Sequence, residues 1–159
     1  MVGGGMISTV SFHAAQFLPS PHRFEAGTPN LAGAMGMAAA ADWLADIGWG
    51  NIIAKEDRLT EYLAKRLTSL SSLRLLCHCP NIPLFSFVVN DVHAHDIGTA
   101  LGFEGIVTRA GHHCAQPLHD QLKVEASTRI SLSFLNTIEE CDVFMEALQH
   151  IITHFQDAR

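Results

Sequence analysis

Apolar residues recur at helical spacing in two long stretches of the chain. Leu59, Leu63, Leu67 and Leu70 fall on one stripe, with Lys55, Asp57, Glu61, Lys65 and Arg66 around the rest of the turn, and predict a helix over Asn51 to Leu70. Near the end, Cys141, Phe144, Leu148, Ile151 and Phe155 form a second stripe. Ahead of it, Thr137 and Glu140 have the spacing of a capping box, in which each side chain satisfies the other's backbone N–H. A third helix, Leu31 to Ile47, has no such stripe and is built from Ala, Gly and Met. Thr28 is placed to cap it, Pro29 to open it where a missing N–H costs nothing, and Gly48 to stop it. So many small residues predict a tightly packed core helix. A shorter helix is predicted over Asp96 to Phe103. Strands are predicted at Leu73 to Cys77, Leu84 to Val89, Ile106 to Thr108 and Arg129 to Phe134, the last with Ile130, Leu132 and Phe134 on one face. The order predicts an α+β fold, a small and mostly antiparallel sheet covered by helices. Gly3 to Pro29 carries the punctuation of an irregular connection, so residues 1–29 stand apart from a domain over residues 30–159.

Composition narrows the class. At 159 residues the chain has the length of one domain. A formal charge of −6 excludes nucleic acid and anionic membrane as general partners. No run approaches ~18 apolar residues, so no membrane span is expected, and the start lacks the basic and apolar regions of a signal peptide. Four cysteines are too few for a disulfide scaffold, which favours a reduced, cytoplasmic protein.

The candidate chemistry sits in RAGHHCAQPL, Arg109 to Leu118, where a cysteine lies beside two imidazoles and near a guanidinium. Neither this cluster nor Cys77-His78-Cys79 has the two-to-four-residue ligand spacing of a structural zinc site, so no metal is assigned. Cys77 and Cys79 read as ordinary residues at a strand end. A thiol reacts as its thiolate, and neighbouring cations favour that form. Arg109, His112 and His113 supply such a field around Cys114, and Pro117 is expected to halt regular structure so that a surface loop presents the sulfur.

RAGHHCAQPL resembles the active-cysteine loop of the group II cysteine desulfurases, the SufS/CsdA branch of the class V aminotransferase superfamily. RFEAGTPN, Arg23 to Asn30, is similar to a second hallmark of that family. STRISLSFLNTIEECD, Ser127 to Asp142, is similar to a third, and GGGMI, Gly3 to Ile7, to the glycine-rich connection that follows the cofactor domain. These motifs fall in family order and span essentially the whole chain.

The resemblance implies the C-terminal small domain of a fold-type I pyridoxal 5'-phosphate enzyme that converts L-cysteine to alanine and an enzyme-bound persulfide. That sulfur would pass to an acceptor protein, as in iron–sulfur cluster assembly. It implies Cys114 as the nucleophile, with His113 beside it as a second catalytic residue. Arg129 is implied as the arginine that binds the substrate carboxylate, and Arg109 as a residue lining the same pocket. Thr28 is implied as a residue that reaches the cofactor phosphate of the neighbouring subunit of a homodimer. The family's Schiff-base lysine follows a histidine; Lys55, Lys65 and Lys123 do not, so residues 1–29 are expected to follow a cofactor domain absent from this chain, and the chain alone to be inactive. Leu135 and His22 depart from the aromatic residues common at those family positions. Selenocysteine lyase, a related class V aminotransferase, and a cofactor-free sulfur-relay or interaction module are the alternative readings.

Overall fold

The computed structural model describes residues 3–79 and 82–157. The side chains of Cys77, His78 and Cys79 lie outside the described residues, and with them the CHC cluster. The chain divides into two units, Met1–Ile47 and Gly48–Arg159.

The first unit contains an antiparallel hairpin, β1 (Ile7–Val10) and β2 (Ala15–Phe17), and a long helix, α1 (Leu31–Ile47). The hairpin lies where the sequence predicts irregular chain, because Ser11 turns it locally: its hydroxyl accepts from the His13 and Ala14 amides, and its own amide donates to Ala14 O. The helix has the predicted bounds, but two expectations about it are corrected. Its cap is Asn30, whose Oδ1 accepts from the Gly33 amide at 2.9 Å, and not Thr28. It buries none of its residues, with Met35 and Met37 about three-quarters exposed, so it is no core helix of this chain. Small residues set how closely a helix can be approached; they do not supply the element that approaches it. Gly48, at φ 86°, ends it in the left-handed conformation that favours glycine.

The second unit is built on a four-stranded antiparallel sheet of order β3-β4-β6-β5, from β3 (Leu73–Cys79), β4 (Ile82–Val89), β5 (Arg109–Gly111) and β6 (Ser127–Ser131). Helices α2 (Trp49–Thr68), α3 (Ala94–Phe103) and α5 (Ile138–Asp157) pack around one face of it. There Leu63 and Leu67 of α2, Phe85 and Phe87 of β4, Leu101 of α3 and Leu148 of α5 are completely buried. Burial of each such side chain contributes about 1.5–3 kcal/mol. The α+β architecture is the predicted one. The capping box is present too: Glu140 N donates to Thr137 Oγ1 at 3.2 Å and Thr137 N to Glu140 Oε2 at 3.0 Å.

Four local expectations are corrected, the first being the last strand, which runs Ser127–Ser131 and ends before Leu132 and Phe134. Ile106 to Thr108 is not a strand; the Ile106 amide is spent on Leu101 O at the end of α3, and pairing with β6 begins only at Arg109. α3 starts at Ala94, capped by the His93 side chain, and not at Asp96. Pro117 does not halt regular structure. It sits in the first turn of a short helix, α4 (Gln116–Leu122), where the absent N–H has no intrahelical partner to lose.

Candidate functional site

The sheet face turned away from Phe85, Phe87 and helices α2, α3 and α5 carries the chemistry. Side chains alternate along a strand, so the face opposite Phe85, Phe87 and Ile130 bears Ser86, Ser127 and Arg129. Register places Arg109 directly opposite Arg129, and Gly111 opposite Ser127. Directly opposed residues project to the same face with Cβ atoms ~4.5–5.5 Å apart, and like charges in that position destabilise a sheet. Two facing guanidinium groups therefore make physical sense as a clamp for an anion.

The cysteine enters from the turn after β5. The Ala115 amide donates to His112 O at 2.8 Å, closing a turn whose central residues, His113 and Cys114, have φ of 54° and 60°. Both are left-handed, as in the turn types that favour Asn and Gly. Such a conformation costs on the order of 1–3 kcal/mol for each non-glycine residue. It holds Cys114 exposed, with Arg109 Nη2 at 3.9 Å from Sγ.

The same turn points His113 inward. Its Nε2 lies 3.1 Å from both the carbonyl oxygen and the hydroxyl of Ser127. Burial, followed by the charges of Arg129 and Arg109, holds His113 below the ordinary histidine range, so it is neutral at pH 7. Its Nδ1 is buried and has no hydrogen-bond partner, and the same is true of Arg129 Nε. One unpartnered imidazole nitrogen and one unpartnered guanidinium N–H, beside a guanidinium pair and a thiol, complement a small zwitterion.

Arg109, His113, Cys114 and Arg129 thus come together as the sequence suggests. Thr28 belongs to the first unit, exposed beside Gly27 (φ 90°) in a hollow of about 430 Å³ that Gly5, His22, Glu25 and Asn30 also line. Two further residues touch the site: Ser127, which opens the third motif but carries no role there, and His119, which follows the RAGHHCAQPL stretch. Pro117, two residues before His119, opens the helix that carries it and is the feature that would have pointed to it.

The whole constellation lies within the residues, 1–144, that match the family described as Aminotransferase class-V. The chain belongs to that family. Among class V relatives, a probable cysteine desulfurase of Streptomyces coelicolor is 42% identical over 96% of this chain and 37% of the relative. A probable cysteine desulfurase of Synechocystis is 43% identical over 98% of this chain and 38% of the relative. The crystal structure of the cysteine desulfurase CsdA from Escherichia coli superimposes with a TM-score of 0.84 at 33% identity, over 96% of this chain and 38% of that one. An apo cysteine desulfurase from Thermococcus onnurineus gives 0.82 at 32% identity, over 97% of this chain and 39% of that one. This class V chain therefore spans a little over a third of the length of these relatives.

The two described cysteines should differ sharply in reactivity. Cys141 lies on the buried stripe of α5, where burial, then Asp142, Glu140 and Glu139, push its thiol up to about 11. At pH 7.5 it is almost wholly protonated, and it is 1% exposed. Timed alkylation at limiting reagent, followed by peptide mapping, should label Cys114 first among the four thiols and Cys141 last. Labelling of Cys77 or Cys79 ahead of Cys114 would remove the case for Cys114 as the nucleophile.

Proposed function

We propose that this chain is the C-terminal part of a pyridoxal-phosphate-dependent cysteine desulfurase of the group II type, and that Cys114 receives the sulfur. The carrying observation is the exposed Cys114 in its left-handed turn, beside the opposed pair Arg109 and Arg129 with a buried, unpartnered Arg129 Nε. The residues fit a substrate held next to such a cofactor, because a donor and an acceptor are left free where an amino acid would lie.

Arg129 takes the substrate carboxylate, with Arg109 completing the clamp; a planar fork bonds both carboxylate oxygens. Held this way, the substrate sulfur is presented to the Cys114 turn. The Cys114 thiolate attacks that sulfur, a sulfur–sulfur bond forms, and the carbon–sulfur bond breaks. The bonding pair stays on carbon, which is protonated to give alanine, so persulfide and alanine account for all atoms and electrons. Pyridoxal phosphate, when bound, supplies the electron sink that makes the substrate carbon–sulfur bond breakable. His113, neutral and with Nδ1 free, accepts a hydrogen bond from the substrate and keeps that side of the pocket uncharged.

Thr28 is assigned to the cofactor phosphate of the neighbouring subunit, with Gly27 opening the backbone beside its hydroxyl. The lysine that anchors the cofactor is assigned to the portion of the relatives beyond this chain. Lys65 is paired with Glu61 at 2.6 Å, Lys55 shares α2 with it on the helix-covered side, and Lys123 ends α4. We assign the complete enzyme to a cytoplasmic homodimer that hands its sulfur to an acceptor protein. The test is a single turnover of the full-length enzyme with L-cysteine. Alanine and a Cys114 peptide heavier by one sulfur should appear in equal amounts. Alanine formed with no sulfur on Cys114 would refute the assignment. Reductive trapping of this chain alone with pyridoxal phosphate and borohydride should give no stoichiometric label on a single lysine; such a label would place the anchor within these residues.

A further inference from the structure

We infer that His119 and Ser127 are positioning residues that lock the proton of His113 on Nε2 and so present Nδ1 as the free acceptor of the site. The inference rests on the reading of this face as a substrate site only for its purpose; the proton arrangement follows from the hydrogen bonds themselves.

His119, in α4, is 4% exposed. Its Nδ1 lies 3.0 Å from Ala115 O, and a carbonyl can only accept, so Nδ1 is the nitrogen that carries a proton when the ring holds only one. Nε2 is then an acceptor, 2.9 Å from Ser127 Oγ, and Ser127 donates its single hydroxyl proton there. With that proton committed, the Ser127 hydroxyl can only accept from its other side. There His113 Nε2 meets two acceptors at 3.1 Å, Ser127 O and Ser127 Oγ, and donates to both. The neutral His113 ring is left with a lone pair on Nδ1, the atom that is buried without a partner.

Ser127 O already draws the His113 proton to Nε2, and His119 removes the one competing arrangement. Without His119 the Ser127 hydroxyl is free to turn and donate to His113 Nε2. In a share of the chains the proton would then sit on His113 Nδ1, and there the site would offer a donor where it had offered an acceptor. A donor on that side meets the guanidinium pair with the wrong polarity for a zwitterion's ammonium or thiol. The local fold explains how the lock is built. Pro117 opens α4 directly after the cysteine turn, so one turn of helix carries His119 back over β6 at Ser127.

The groups facing His113 are Arg109 from β5, Arg129 from β6 and His119 from α4, and no carboxylate is among those that act on it. Its folded value lies below its unfolded one. The unfolded chain therefore binds more protons as pH falls below about 6.5, and stability is lost in that direction.

The experiment is long-range proton–nitrogen correlation NMR on this chain labelled at the imidazole nitrogens, at pH 7.5. Wild type should show His113 as the Nε2–H tautomer and His119 as the Nδ1–H tautomer. His119→Phe fills the same space without an acceptor, and should raise the Nδ1–H population of His113 by about tenfold, the effect of one freed hydrogen bond. Adding Ser127→Ala to His119→Phe removes the competing hydroxyl donor and should restore the Nε2–H tautomer, since Ser127 O remains. A purely structural role predicts no such restoration. His119→Gln keeps an acceptor and should retain the wild-type tautomer, which preserves the comparison if the phenylalanine variant does not fold. A wild-type His113 carrying its proton on Nδ1, or a His119→Phe chain with an unchanged tautomer, would overturn the lock. Failure of the desulfurase reading looks different: the tautomers hold, yet no persulfide forms on Cys114 in the full-length enzyme.

Discussion

Replacing Cys114 with alanine in the full-length enzyme is expected to cut alanine formation from L-cysteine by about 10³-fold or more, and to remove the persulfide altogether. Loss of a covalent nucleophile removes the reaction channel and not a share of its binding energy. The fold should be indifferent. Cys114 is exposed, and alanine meets the same left-handed backbone penalty, so the melting temperature should stay within a degree or two of wild type. Cys114→Ser keeps an oxygen at the same place and should fare no better, since a hydroxyl is far more weakly ionised than a thiol at neutral pH. Unchanged turnover in either variant would show that sulfur leaves by another route.

Arg129→Ala carries the second large effect. A carboxylate on a guanidinium fork gains two charge-assisted hydrogen bonds, each worth ~1.5–3 kcal/mol. Loss of about 3 kcal/mol corresponds to roughly 10²-fold or more in kcat/KM. Arg129→Lys keeps the charge but not the fork, and should fall between the two. Arg129 is half-buried on β6 beside core residue Ile130, so each variant must be shown to melt cooperatively. Removing one of two opposed cations also relieves repulsion with Arg109, so Arg129→Ala should not be strongly destabilised despite its position in the sheet. A folded, cofactor-loaded Arg129→Ala enzyme with unchanged turnover and KM would make this arginine scaffold and move the anchor to Arg109.

Short-range signals in the sequence were read most faithfully. The α5 stripe and its capping box need only residues a few positions apart, and both are present in the structure. The fold class follows from the order of such elements. Structure and local sequence pattern part where a distant partner decides. Ile106 to Thr108 has strand composition, but the strand is set by β6, which opposes Arg129 to Arg109 and leaves Ile106 to close α3. Pro117 was ambiguous by nature, since the same residue that stops a helix can open one. For α1, composition could not say whether anything lies against it. Of the proposed site, Arg109, His113 and Cys114 stand out because one short motif joins them, and Arg129 because a second motif carries it. Ser127 and His119 do not: a serine and a histidine eight residues apart acquire meaning only when the turn and α4 fold one onto the other.

The left-handed turn also bears on how this protein can change. Glycine adopts such a backbone without the steric cost that His113 and Cys114 bear. A drift to glycine at position 114 would therefore relax the loop and silence the chemistry in one step. At position 113 it would relax the loop and remove the acceptor. Across a population of variants, the glycine changes here should be among those that gain stability while losing function. A library selected for thermal tolerance alone should accumulate them, whereas one selected for sulfur release should exclude them. The loop would thus be held away from its own stability optimum by the reaction and not by the fold.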